Sequence, residues 1–199
     1  MIIGCDVDGV LAEFVAPYIT LLNGMQGVQL PVASDTYPPS WNFHRDAGIH
    51  PDDIEASWRH ITGGRFFWNL PPMPMACLAL ATLKRFELNG HAVYFITARP
   101  GQSAKEQTED WLDVYGFQRP TVIITDDKGP VAKALNLDVF IDDKPEHCIS
   151  VAAYAPDCQV FMPMQPYNQG LTLPRNVTYV KNALAALEGL DVTDQRWAA

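Results

Sequence analysis

The sequence predicts an α/β protein: a doubly wound, mainly parallel, Rossmann-like sheet with a small helical cap inserted after the first strand. Three observations carry this expectation. The runs IIGCDV, VYFIT, TVIIT, DVFID and CQVFM are apolar and β-branched, as strands buried on both faces are. Segments with helical spacing lie between them, and strands alternating with helices build parallel sheets. About 60 residues rich in Pro, Trp and Phe follow the first run and interrupt that alternation.

The first strand occupies residues 2–7 and ends in DVDG. The interruption then spans 15–73, with YPPSWNF and SWRHITGGRFFWNLPPMP inside it. A structureless loop of that length is foreign to a compact domain, and DDIEASWRHI has helical spacing with Pro51 and Asp52 near its start. We therefore expect a mostly helical cap over 15–73 and an α/β core made of 1–14 and 74–199. Within the core, strands are expected at 93–97, 121–125, 138–142 and 158–162, with helices near 74–89, 103–115, 129–136 and 145–154. Ser103 and Glu106 have the spacing of a capping box at the start of the second of these helices. Past residue 163 the chain is rich in Pro and Asn until VKNALAALEGL, which reads as a final amphipathic helix.

Composition sets limits on function. The chain has 199 residues, of which 48% are hydrophobic, enough for one sizeable core with a small lobe. A formal net charge of -9 argues against a surface built to neutralise a long phosphate backbone, so no long nucleic acid is expected as a partner. Cys5, Cys77, Cys148 and Cys158 show no CxxC spacing and read as reduced thiols. Acidic residues arrive at position 6, and no apolar run approaches the ~20 residues that span a bilayer, so neither a leader nor a membrane segment is expected. The expected location is cytoplasmic, and a homodimer is left open.

In doubly wound sheets ligands bind beyond the carboxyl ends of the strands. Here those ends read DVDG, ITARP, ITDDKG and IDDKP. Each has an ordinary structural reading: Asp-Gly is a common turn, Thr97 can cap a strand, and Asp142 or Asp143 can cap the helix that begins near Pro145. Together they crowd carboxylates at one buried sheet edge, where repulsion and desolvation are costly unless positive charge sits among them. A divalent cation answers this, and hard oxygen ligands from Asp6, Asp142 and a backbone carbonyl suit Mg2+. The expected metal set is Asp6, Asp8 and Asp142, with Asp143 outside it or reaching the ion through water. One Asp6 oxygen is then free to attack phosphorus and form an aspartyl-phosphate. Asp8 follows two residues later and is expected to protonate the leaving oxygen and then activate water. Thr97 and Lys128 supply a hydroxyl, backbone amides and a positive charge for the phosphoryl oxygens. Lys128 directly follows the third strand and can reach the strand ends, whereas Lys133 lies more than a turn up the helix and Lys144 reads as an outer charge partner.

With DVDGV, the Thr of FITAR, a Lys before a helix and IDD in order over residues 2–145, the chain resembles the haloacid dehalogenase (HAD) superfamily of phosphohydrolases. DVDGVLAEF, FFWNLPPMP, EDWLDVYGF and DVFIDDKP are similar, more narrowly, to the 5'(3')-deoxyribonucleotidase family. That resemblance implies a HAD-like fold, a cap inserted after the first motif, Mg2+ dependence and hydrolysis of a nucleoside monophosphate. It also implies that Phe14 stacks near the base. Ala98 and Arg99 stand where relatives often carry Ser and Pro, and both are expected at the substrate.

The cap aromatics Trp41, Phe43, Trp58, Phe66, Phe67 and Trp68 include both core and base-stacking candidates; Trp41 and Phe43, in the irregular stretch, are favoured for the ligand. Asn168 in QPYNQGL is read either as closing the site or as a turn residue, and the five histidines as surface or packed residues. Two rival classes are a receiver-type phospho-acceptor module and a polynucleotide-end (3') phosphatase. The first places its acidic pair and acceptor on different strands and lacks a cap. Acidic net charge weighs against the second.

Overall fold

The computed structural model describes residues 1–25, 30 and 38–190. Six strands, β1 (Ile2–Cys5), β2 (Ala92–Thr97), β3 (Thr121–Ile124), β4 (Val139–Ile141), β5 (Gln159–Pro163) and β6 (Val177–Val180), form one sheet in the order β3-β2-β1-β4-β5-β6. Every pairing is parallel. The sheet is the doubly wound, parallel architecture expected from the sequence. Side-chain alternation explains why both faces must be covered. Ile3, Cys5, Phe95, Ile141 and Phe161 point into one apolar cluster, while Ile96, Phe140, Val160 and Met162 point into another.

Helices cover the two faces. α4 (Ala76–Leu88), α5 (Ala104–Val114) and α8 (Ala183–Glu188) bring Leu80, Leu83, Phe86, Trp111, Leu112 and Leu187 to the first cluster. α6 (Lys128–Leu135) and α7 (Pro145–Tyr154) bring Ala132, Cys148 and Val151 to the second. Consecutive strands run outward from β1 to β3, and the chain then crosses to β4 beside β1. That reversal opens a crevice at the carboxyl ends of β1 and β4, the usual ligand position in such sheets.

Between β1 and β2 lie α1 (Val15–Asn23), α2 (Phe43–Asp46), α3 (Pro51–Gly63) and a short 3-10 turn at Phe67–Asn69. Pro51 begins α3 because its fixed φ and missing N–H suit a first helical turn, and His50 Nδ1 accepts from Asp52 N at 3.3 Å. Aromatic mass holds these short elements together: the Phe14 ring stacks on Trp58 at 6.0 Å, and Tyr18 packs against Trp58 and Phe43. The segment is tied to the core through Gln107 on α5. Its Nε2 donates to Gly64 O at 2.9 Å, and its Oε1 accepts from Trp68 N at 3.3 Å. Trp111 Nε1 adds a bond to Leu70 O at 2.8 Å.

Two local expectations need correction. The Ser103 side chain does not cap α5; its Oγ accepts from Gln107 Nε2 at 2.8 Å, so no capping box forms with Glu106. The stretch read as loop and helix after residue 163 contains β6, and Val180 belongs to that strand. A four-residue edge strand with one buried residue leaves too little pattern to see. α8 starts later, where Asn182 Oδ1 accepts from Ala185 N at 2.9 Å.

Candidate active site

Strand register builds the floor of the crevice. Cys5 pairs with Ile141, and Asp6 N donates to Ile141 O at 2.8 Å, so Asp6 and Asp142 leave neighbouring strands side by side. Asp142 N in turn donates to Phe161 O, and Lys144 N donates to Asp142 Oδ1 at 2.8 Å, fixing the carboxylate. Lys128, first residue of α6, is fully buried, with Nζ 2.6 Å from Asp142 Oδ2 and 2.8 Å from Asp6 Oδ1. Lys133 is exposed farther along the helix, so Lys128 is the one that reaches the strand ends.

Electrostatics follow from burial. The Asp6 carboxyl is pushed up to about 6, chiefly by desolvation and then by Asp142 and Asp8, against the pull of Lys128. Burial would also raise Asp142, but the Lys128 ammonium and His147, whose Nδ1 is 3.1 Å from Asp142 Oδ2, outweigh it and hold that carboxyl low. Burial in turn would lower Lys128, and the Asp142 and Asp6 carboxylates outweigh it and raise its pKa. Asp143 is raised well above the usual range, first by burial and next by Asp142 and Asp6.

The three carboxyls Asp6, Asp142 and Asp143 bring ligand oxygens within 4.8 Å of one another. Lys128 balances only part of their charge when all are ionised, and Asp6 Oδ1, although close to Lys128, is buried without a well-directed hydrogen bond. An all-oxygen donor set with an underused buried oxygen fits a hard divalent cation. The sequence named Asp6, Asp8 and Asp142 for this set, with a backbone carbonyl as one donor, and Asp143 outside it or reaching the ion through water. Asp143 is in the cluster, and the Asp8 side chain turns to Arg99 instead.

Arg99, expected at the substrate, borders the cleft described below, with its side chain engaged by the protein itself. Its side chain is wholly buried; Nε and Nη2 donate to the two Asp8 oxygens at 2.9 and 2.6 Å, and Nη1 donates to Thr108 Oγ1 at 3.0 Å. The guanidinium lies 4.8 Å over the Phe67 ring.

Above the floor is an open cleft. Asp6, Asp8, Thr97, Arg99, Asp143, Lys144 and His147 line its polar end, and Phe14, Trp41, Trp58 and Phe67 its aromatic side. Ala98 is at its edge. Phe43 is not brought there; it packs edge-on against Tyr18 and lines a smaller neighbouring cavity. The irregular backbone that favoured Phe43 says little about direction, because packing sets its ring edge-on against Tyr18.

Sequence reasoning missed His147 and Tyr167 as site residues and favoured other aromatics over Trp58. Trp58 was one of six cap aromatics weighed for core or base stacking and was not among the two favoured; only packing of α3 shows it reaching the cleft. His147 lies in the first turn of α7, five residues beyond Asp142, a spacing that returns it to the carboxylate. Tyr167 donates its hydroxyl to Asp143 Oδ2 and meets Trp41 edge-on at 5.2 Å. Its neighbour Asn168 is buried and bonds Asp143 O at 2.7 Å and Pro163 O at 2.8 Å, which ties the turn after β5 to the strand end of β4. Gln165 Nε2 adds a bond to Gly9 O at 3.0 Å.

The arrangement offers a buried carboxylate nucleophile, a second carboxylate two residues on, a lysine between acids and a cleft with an aromatic wall. Comparisons agree with it. The family described as "5' nucleotidase, deoxy (Pyrimidine), cytosolic type C protein" matches residues 1–177. A Bacillus cereus protein named "Putative nucleotidase" is 28% identical over 144 residues, 70% of this chain and 73% of that one. A HAD family hydrolase from Deinococcus radiodurans R1, solved with phosphate and sodium, superposes with a TM-score of 0.52 at 12% identity, covering 84% of this chain and 82% of that one. A defluorinating L-2-haloacid dehalogenase gives 0.56 at 11% identity, with 94% and 93% covered. At such identities these two structures establish the fold, which is that of HAD hydrolases. Because the family match runs through all four strand ends, the chain belongs to the cytosolic type C 5'-nucleotidase family and is a phosphohydrolase.

Proposed function

We propose that the protein hydrolyses nucleoside 5'-monophosphates, with deoxyribonucleotides preferred, to nucleoside and phosphate through a phosphoryl group carried on Asp6. The observation that supports this most is the two-ended cleft: acids, Thr97 and Lys144 at one end, and Phe14, Trp41 and Trp58 along the other. A ligand with a phosphate at one end and a flat base at the other matches both. The deoxy preference is taken from the family's description, which names deoxy and pyrimidine substrates.

Asp6 attacks phosphorus, the bond to the ester oxygen breaks, and Asp8 delivers a proton to that oxygen as the nucleoside leaves. Asp8 then takes a proton from a water that attacks the phosphorus of the aspartyl-phosphate, the bond from phosphorus to the Asp6 oxygen breaks, and inorganic phosphate and the free Asp6 carboxylate result. Lys128 stays between Asp6 and Asp142 and holds both in place. Thr97, buried at the end of β2, faces the cleft where the phosphoryl oxygens would lie. Mg2+ held by Asp6, Asp142 and Asp143 would supply the positive charge that lets a dianionic phosphate approach three carboxylates.

The test is kcat/KM over nucleoside 5'-monophosphates, sugar phosphates and 3'-phosphorylated oligonucleotides, with and without EDTA. The expected result is a preference for the 5'-monophosphates and loss of turnover with EDTA. Sugar phosphates winning by about tenfold, beyond what a missing stacking contact explains, would end the nucleotide reading.

A further inference from the structure

Arg99 is a buried cation at the cleft that the protein itself grips on several sides. It lies two residues past Thr97, the last residue of β2, and its buried side chain borders the cleft. Four groups from three parts of the chain fix its guanidinium: both oxygens of Asp8 in the loop after β1, Thr108 Oγ1 on α5, and the Phe67 ring beneath it. Thr108 is itself fixed, donating to Ala104 O at 2.7 Å.

A buried arginine must have its donors satisfied, and a planar fork matched to a carboxylate sets that carboxylate's plane as well as its position. Asp8 has no comparable partner elsewhere among the described residues. Each carboxylate oxygen has two lone pairs, so a two-point grip leaves one on each oxygen for a proton. Lysine could offer a point charge but would not set the plane.

We propose that Arg99 is a positioning residue for the reaction: it holds the Asp8 carboxyl in the plane from which a proton reaches the leaving oxygen, and Thr108 and Phe67 hold Arg99. The proposal rests on Asp8 being the general acid. Three of the five N–H groups of Arg99 are engaged within the protein.

The consequence is selective for the leaving group. An alkoxide, as from a nucleoside 5'-phosphate, needs a proton as it departs, whereas p-nitrophenolate departs well without one. A residue that only supports folding would lower both reactions in the same proportion. The readout is kcat/KM, which includes phosphoryl transfer to Asp6, for a deoxyribonucleoside 5'-monophosphate and for p-nitrophenyl phosphate, on four proteins: parent, Asp8→Asn, Arg99→Lys and Thr108→Val.

Asp8→Asn is expected to lose about 100-fold or more on the nucleotide and only a few-fold on the aryl ester, the scale of a lost general acid. Arg99→Lys is expected to show the same selectivity, and Thr108→Val a weaker version of it with the protein fully folded. Equal losses on both substrates for Arg99→Lys, with Asp8→Asn still selective, would overturn the positioning role and leave the acid role intact. Equal losses for Asp8→Asn would overturn the acid reading and the proposal with it. Should Arg99→Lys fail to fold, Thr108→Val decides: selectivity supports the proposal, and proportional loss or none overturns it.

Discussion

A Cβ added to Gly9 would lie 2.8 Å from Asp143 Cγ, in a backbone conformation with φ of +79°. The turn out of β1 therefore approaches the loop after β4 as closely as it does only because residue 9 has no side chain. Gly9→Ala has to force Asp143 out of the acidic cluster or unwind the turn, and left-handed backbone adds a cost of order 1 kcal/mol. The expected outcome is a folded protein whose activity needs at least about tenfold more Mg2+, since one of the three carboxyls proposed to hold it is displaced. A titration of activity against Mg2+ checks it, and an unchanged midpoint would contradict the placement of Asp143.

Asp6→Asn is expected to remove at least about 1,000-fold of turnover, as the loss of a nucleophile does. Folding should survive, because Asp142 still pairs with Lys128 and a carboxylate that burial pushes up to about 6 is no longer required to ionise. Thermal melting followed alongside phosphate release separates the two effects. Appreciable phosphatase activity in the purified variant would remove the covalent route.

Lys128→Ala and Lys133→Ala should behave oppositely. The first leaves Asp6 and Asp142 buried without their common cation and is expected to cost about 3 to 5 kcal/mol of stability together with most of the activity. The second removes an exposed side chain and should stay within about 0.5 kcal/mol and a few-fold in turnover. Denaturant unfolding and initial rates on both variants decide the matter.

Much of this site was legible because the chemistry sits at strand ends. A run such as IIGCDVDG states both that a strand is buried and where it stops, so Asp6, Thr97, Lys128 and Asp142 could be placed at one sheet edge from sequence alone. Side-chain direction beyond a strand end is a different matter. Nothing local to DVDG says that Asp8 turns to Arg99, because its partner is 91 residues away and the grip depends on Thr108 and Phe67 as well. Phe43 and Trp58 differ for the same reason: both are aromatic residues on short helices, and only the packing around Tyr18 and Phe14 decides which of them faces the cleft.

Metal binding should depend on pH in a defined direction. Asp6 has its carboxyl raised from 3.8 to about 6, so the folded metal-free protein binds more protons than the unfolded chain in that interval. Its contribution to stability is fully present below 3.8 and is lost as pH rises through about 6. Asp143 is raised in the same direction. A bound cation needs these groups deprotonated and relieves the repulsion that deprotonation creates. The rise in Tm on adding Mg2+ is therefore expected to be small near pH 5 and larger by about pH 7.5, as ligand protons no longer compete. A Tm increment that shrinks with pH would place the ion away from Asp6 and Asp143.

The last prediction concerns a residue with no chemistry of its own. Gly129 follows Lys128 in the first turn of α6, and a Cβ there would meet Ser150 Oγ, Tyr154 Cδ2 at 2.8 Å and the Ser150 carbonyl oxygen at 2.9 Å, all on α7. The tyrosine ring and the serine hydroxyl can move, but the carbonyl is part of a helix and cannot. Gly129→Ala should therefore push α6 away from α7, and Lys128 is the adjacent residue, with Nζ 2.6 Å from Asp142 on the strand that leads into α7. A shift of a few tenths of an ångström lengthens the contacts of Lys128 with Asp142 and Asp6 at once. We expect a loss of about 1 to 3 kcal/mol of stability, the usual cost of overpacking, and a fall in kcat with little change in KM, since the aromatic end of the cleft is untouched. Ser150→Ala in the same chain should restore only part of both, because it removes the hydroxyl and leaves the carbonyl. Full restoration would show that the hydroxyl alone set the helix spacing, and no loss in the single variant would show that Lys128 is held by its carboxylates rather than by the packing of α6 on α7.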